Sequence, residues 1–236
     1  MDEENNALLV RSTSDPAQQA ARAHVLRVLP SQMRELGKIA FVHGHIIGDD
    51  RKTGVSPFGH GTDAIVAVAK LLRVAASLLE GCASLLGQHN NYASSALSRQ
   101  LVEIEYLTWT FNHEPESASS WLRSDKEQRM KFFSPARMRQ RSDGWFKKSD
   151  YANHCELGGH PVPNSEVLLQ ENELTSQVVM ADCAMHSRNI FFYASTFLGE
   201  HGLPVDLANN EAKKALDDWW QIEEIKHLPP TPEIST

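Results

Sequence analysis

Cysteine is scarce in this chain: Cys82, Cys155 and Cys183 are scattered over 236 residues and form no CxxC pair. A disulfide framework is thereby excluded, and a reducing cytoplasm is the expected compartment. The N-terminal MDEENN is acidic and no apolar run follows it, so no secretory signal is expected. Nor is there an uninterrupted apolar stretch of membrane length. The nearest approach, Ala64 to Leu86, is broken by Lys70, Arg73 and Glu80, each costing roughly 2.5–3.5 kcal/mol at the centre of a bilayer. It reads as a buried helix of a soluble bundle.

No segment shows the two-residue alternation of a half-buried strand, and there is no internal repeat. GxGxxG, GxxxxGK[ST] and GxSxG are missing, which disfavours the usual nucleotide-binding loops and serine hydrolases. No HxxxH, HExxH or ExxH lies on a predicted helix either. No metal-ligand set and no cofactor are therefore assigned.

What remains is helical, with 41% hydrophobic and 22% charged residues and a net charge of -7. That composition supports a folded core and argues against indiscriminate nucleic-acid binding. Residues 1–14 are expected to be flexible. Asp15 caps a helix with Pro16 at its first position, running to about Leu36. Glycines and histidines then predict a long loop over 37–61, with at most a short element at 39–42. Thr62 and Asp63 open a second long helix that Gly87 ends. A third follows at once, from Asn91 to Asn112, and should lie antiparallel to the second. Residues 114–150 read as an insertion of short helical pieces, Ser149 caps another turn or two, and His160-Pro161-Val162-Pro163 must be extended. Long helices over about 173–199 and 206–224 complete a single domain of residues 15–226, followed by a flexible proline-rich tail at 227–236. The fold class is all-α: an antiparallel bundle of four or five long helices with a helical insertion.

Three places hold candidate chemistry. His43, His45 and His60, with Asp49 and Asp50, crowd the predicted loop and supply the residue types of a zinc site without its spacing. His154, Cys155 and His160 form a second group, which Asp182, Cys183 and His186 complete only if the fold brings them together. The insertion is the third. From Trp121 to Lys148 it carries nine Lys/Arg, Arg137, Arg139 and Arg141 among them, against three Asp/Glu. Trp121, Phe132, Phe133, Trp145 and Phe146 lie between these charges, a composition that single-stranded nucleic acid would suit, but basic helices packed on the acidic body with aromatics inward come first, since large aromatics more often sit in cores.

The third helix also places Arg99 and Glu103 four residues apart on a face shared with Ala96, Val102 and Tyr106. Buried, such a pair needs further polar partners, for which Tyr151, His154 and His160 are the candidates. The segments Ser98-Arg99-Gln100-Leu101-Val102-Glu103 and Tyr151…Cys155…His160-Pro161 together resemble the two-part signature of uncharacterised bacterial helical proteins of the HEPN-like superfamily. Cysteine stands where that signature has serine, and the Arg-x(4–6)-His of the superfamily's ribonucleases is absent. The resemblance implies a helical bundle and an RNA- or nucleotide-related, defence-like role. In a ribonuclease reading His160 is the acid/base and Arg99 stabilises charge on phosphate, with Glu103 beside it. Tyr151, His154, Arg137, Arg139 and Arg141 would contact the ligand. The alternatives are a non-catalytic module that homodimerises through its long helices, and a metal-binding protein.

Overall fold

A computed structural model describes residues 15–46, 62–170 and 172–223. These contain no strand, and the class is all-α. The expectations for residues 1–14 and 227–236, and for His60 and the Asp49/Asp50 pair, lie outside the described residues. Helix α1 spans Pro16–Ile46, α2 Asp63–Leu86 and α3 Asn91–His113. Short helices α4 (Glu116–Arg123), α5 (Lys126–Phe132), α6 (Pro135–Arg141) and α7 (Lys148–His154) follow. A π turn (Cys155–Gly159) and a 3-10 segment (Pro163–Leu169) then lead to α8 (Glu173–Glu200) and α9 (Asp206–Glu223). No described helix is long and apolar enough to cross a membrane.

The sequence predicts that α1 stops near Leu36, and it does not: the helix continues through Gly37 and Gly44 to Ile46. Both glycines serve packing rather than termination. A Cβ on Gly37 would lie 2.9 Å from Arg73 Cγ, and one on Gly44 2.9 Å from Val66 Cγ2, so their absence lets α1 lie close along α2. Pro30 stands inside the same helix, where it costs about 3 kcal/mol. Burial of Val25, Leu29, Met33, Leu36 and Ala40 on the α2 side offsets that cost, since each large side chain contributes about 1.5–3 kcal/mol.

Helix α2 is buried on nearly every side because its sequence is apolar nearly all round. It packs on α1, α3, α4 and α8. Helix α3 follows after a tight turn, with the Asn90 side chain accepting from the Ala93 N–H at its start, and it pairs along its length with α8. Helix α9 closes over α1, tied by the buried Arg22, which bonds to Glu223 and to Gln177 of α8 at 3.1 Å. A second, smaller core of Val102, Tyr106, Trp109, Met138 and Phe146 seats α6 and the turn after it against α3.

Much of the insertion's positive charge is used within the fold. Arg123 pairs with the buried Asp63, Arg129 bonds the Ser124 carbonyl, and Arg141 pairs with Glu114 at 3.3 Å while donating to the Phe132 carbonyl at 2.8 Å.

Candidate metal centre

Helix α7 and the π turn decide what meets on α3. Gly158 in that turn lies so close to α3 that a Cβ would come within 2.6 Å of Ser95 Oγ. Only glycine permits the approach, and it lays α7 across the seam between α3 and α8. Tyr151 and His154, three residues apart on α7, then face two neighbouring stripes of the seam, Tyr151 one on α3 and His154 one on α8.

In the first stripe are Arg99 and Glu103. Their ion pair is 2.9 Å long with side chains 25% and 34% exposed, so it sits at the surface of the seam rather than inside it. Arg99 Nη1 donates to Tyr151 Oη at 3.2 Å, and the Tyr151 hydroxyl donates to Glu103 Oε1 at 2.9 Å. Burial, followed by that hydrogen bond to a carboxylate, pushes the Tyr151 hydroxyl above its usual range. The Arg139 guanidinium lies over the Tyr151 ring, 4.8 Å from its centroid. Four residues singled out in the sequence thus come together: Arg99, Glu103, Tyr151 and Arg139.

His160 does not join them by any hydrogen bond among the described residues. It is exposed on the extended segment after the π turn, where its backbone N–H bonds the Cys155 carbonyl at 3.0 Å. Arg137 is exposed and bonds Gln140, and Arg141 is engaged with Glu114. His43 and His45 lie on the last turn of α1, with the His45 ring bonded to the Phe41 carbonyl at 2.7 Å.

The second stripe holds what the sequence left unassembled. Helix α8 carries Asp182 and His186 four residues apart, hence on one face, and both point at His154. His154 Nε2 lies 2.9 Å from Asp182 Oδ1 and 3.1 Å from His186 Nε2, while His186 Nε2 lies 3.3 Å from the same Asp182 oxygen. Among the described residues this is the His/Cys/Asp/Glu group whose ligand atoms all fall within 4.8 Å of one another.

The opposite edge of each ring is held. His154 Nδ1 lies 2.9 Å from the Asp150 carbonyl. A carbonyl only accepts, so this nitrogen carries the hydrogen. His186 Nδ1 donates to Glu105 Oε2 at 2.5 Å, and Glu105 is held in turn by Asn189 Nδ2 at 2.9 Å. Ser98 Oγ donates to the other oxygen of Asp182 at 2.5 Å. With neutral rings held this way, both Nε2 atoms turn their lone pairs toward one carboxylate oxygen. Such a junction is repulsive unless a cation or a proton occupies it.

Electrostatics say the same of the protein by itself. Burial works against charge on His186, but the Asp182 and Glu105 carboxylates prevail and hold its pKa well above the usual imidazole range. Burial likewise opposes protonation of His154, and the Asp182 hydrogen bond and charge raise it nonetheless. Burial would raise the Asp182 carboxyl, yet the two imidazoles hold it far below the ordinary carboxylate range. Both histidines are buried, whereas the Asp182 side chain is 32% exposed, so the group opens to solvent on the carboxylate side.

The sequence signal for this group was Asp-x-x-x-His on α8, with Ser98 and Glu105 seven apart on α3. Neither spacing separates a ligand set from an ordinary helix face. Cys155, the neighbour of His154, belongs to no such group. Cys183 is fully buried beside Cys82 in the main core, where the nearby thiol and burial push its own thiol up. Compared with protein-family models, curated proteins and solved structures, the chain matches none.

Proposed function

We propose that this protein binds a single divalent transition-metal ion through His154 Nε2, His186 Nε2 and Asp182 Oδ1. The observation that carries the reading is their mutual geometry. The edges of 2.9, 3.1 and 3.3 Å describe a triangle whose corners lie about 1.8 Å from its centre, and zinc–nitrogen and zinc–oxygen bonds run ~2.0–2.2 Å. One ion could therefore be reached by all three atoms, and His154, His186 and Asp182 would hold it.

The surroundings support the same assignment. Ligating histidines characteristically donate their second nitrogen to a carboxylate or a backbone carbonyl, as His186 and His154 do to Glu105 and Asp150. Two imidazoles with one carboxylate suit zinc or ferrous iron and not magnesium or calcium, which favour all-oxygen sets. With the Glu105 charge behind His186, the two carboxylates balance a divalent ion. Three protein ligands with open positions are the arrangement of a catalytic rather than a closed structural site, so the role of the ion is Lewis-acid chemistry on a bound ligand.

The test is calorimetric titration of chelator-treated protein with zinc. One ion per chain is expected, with uptake abolished in both His154→Ala and His186→Ala while circular dichroism stays helical. Absence of uptake, or uptake unchanged in the two variants, overturns the assignment.

A further inference from the structure

The insertion uses its arginines and its lysines differently. Arg123, Arg129 and Arg141 hold other parts of the fold, whereas Lys131, Lys147 and Lys148 are exposed and make no ion pair among the described residues. Its aromatics divide in a similar way. Phe146 is buried and Trp121 and Phe133 pack against the main core, but Phe132 and Trp145 are 43% and 47% exposed. The expectation that all five rings turn inward therefore holds for three of them.

Phe132 and Trp145 are brought to one place, the C-terminal end of α3. Arg141 pairs there with Glu114 and donates to the Phe132 carbonyl at 2.8 Å, which fixes the end of α5. Four residues after Arg141, the Trp145 N–H closes a tight turn on the Ser142 carbonyl at 2.9 Å. Phe146, next in the chain, packs edge-on against Trp109 of α3 with ring centroids 5.3 Å apart. The Lys131 ammonium lies over the Phe132 ring, 5.1 Å from its centroid, and Lys147 and Lys148 follow Trp145 within three residues. One exposed ring needs no explanation. Two at one end of the molecule, each with lysines beside it, form a surface that water alone does not account for.

We propose that this surface binds a single-stranded nucleic acid, with phosphates against Lys131, Lys147 and Lys148 and bases stacked on Phe132 and Trp145. Stacking rings interleaved with cations are what a strand with unpaired bases uses. An anionic bilayer fits less well. Met130, the other exposed apolar residue of α5, is two positions from Phe132 and so on a different face, which breaks the apolar stripe of an interfacial helix. Exposed carboxylates of Glu116, Asp143 and Asp150 also lie on neighbouring turns. A flat bilayer meets these together with the lysines, while a flexible strand can place its phosphates between them. The proposal does not rest on the metal reading.

The probe is a fluorescein-labelled oligothymidylate of about twelve nucleotides, followed by anisotropy across a salt series, with an oligouridylate of equal length and vesicles of equal parts phosphatidylcholine and phosphatidylserine as comparisons. Binding at low salt is expected, falling with ionic strength. Lys131→Gln, Lys147→Gln and Lys148→Gln together should reduce the slope of log affinity against log salt by about 2, at ~0.7 per phosphate contact on a single strand. Phe132→Leu and Trp145→Leu keep apolar bulk and remove the ring. Each should weaken binding about fivefold or more with the salt slope unchanged, a split that a misfolded variant would not give, and the two serve as independent readings. Tighter binding of either strand supports the proposal and names the sugar. Neither strand bound at low salt, binding within twofold of the parent in both ring variants, or vesicles bound in preference to both strands overturns it.

Discussion

His154 Nε2 stands 3.1 Å from His186 Nε2, and both rings have their other nitrogen tied, one to a backbone carbonyl and one to Glu105. Because Glu105 fixes which nitrogen of His186 faces the junction, removing its charge should loosen the ion without touching a ligand. Glu105→Gln is expected to lower zinc affinity about 10–100-fold, read by competition with a chromophoric chelator. A change under twofold means Glu105 does not orient the ring.

Proton competition sets the pH dependence. In the metal-free protein both imidazoles have raised pKa values, His186 strongly so. An ion must displace those protons. Zinc affinity should therefore fall as pH drops, and the fall should begin above the ordinary imidazole value of about 6.5. Titrations across a pH series in two buffers of different ionisation enthalpy would show the released protons. An affinity flat from neutrality to mild acidity contradicts the assignment.

The metal-free protein should respond in the opposite sense. A raised folded-state pKa means that the His186 contribution to stability is fully present below the unfolded value and is lost as pH climbs through the folded one. Asp182, held low, contributes above the unfolded carboxylate value of about 3.9, and loses that contribution only as pH falls through its own depressed one. Urea denaturation of chelated protein should accordingly show stability declining on the alkaline side of neutrality. Zinc should remove that decline.

Gly158→Ala tests how α7 is held. The new methyl meets Ser95 at 2.6 Å, so the π turn must lift away from α3 and carry His154 with it. A destabilisation of about 1–3 kcal/mol and a loss of zinc affinity are expected together. Preserved affinity would show that His154 is placed by other contacts.

Arg22 offers a control far from that chemistry. Its guanidinium is buried and answered by Glu223 and Gln177. Glu223→Ala leaves a buried charge short of its counter-ion, and should cost about 3–5 kcal/mol in urea unfolding. Zinc affinity of the folded protein should not change.

How the fold was legible can be seen element by element. The ends of α3, α8 and α9 followed from caps, glycines and prolines that act within a turn of themselves. Helix α1 runs about ten residues past the end its sequence predicts, because Gly37 and Gly44 look like terminators in one dimension. Their role, letting α1 approach α2, exists only once α2 is beside them. The meeting of Arg99, Glu103 and Tyr151 is legible in the sequence, since two of them share a helix face.

The sequence by itself determined the helical class, most helix boundaries and the Arg99–Glu103 pair, because periodicity and capping are local. The tertiary structure alone decided that His154 faces Asp182 and His186 and not His160. Such a junction depends on the angle at which α7 crosses two other helices, and that angle is set by how closely Gly158 can pack, a quantity that no spacing along the chain encodes.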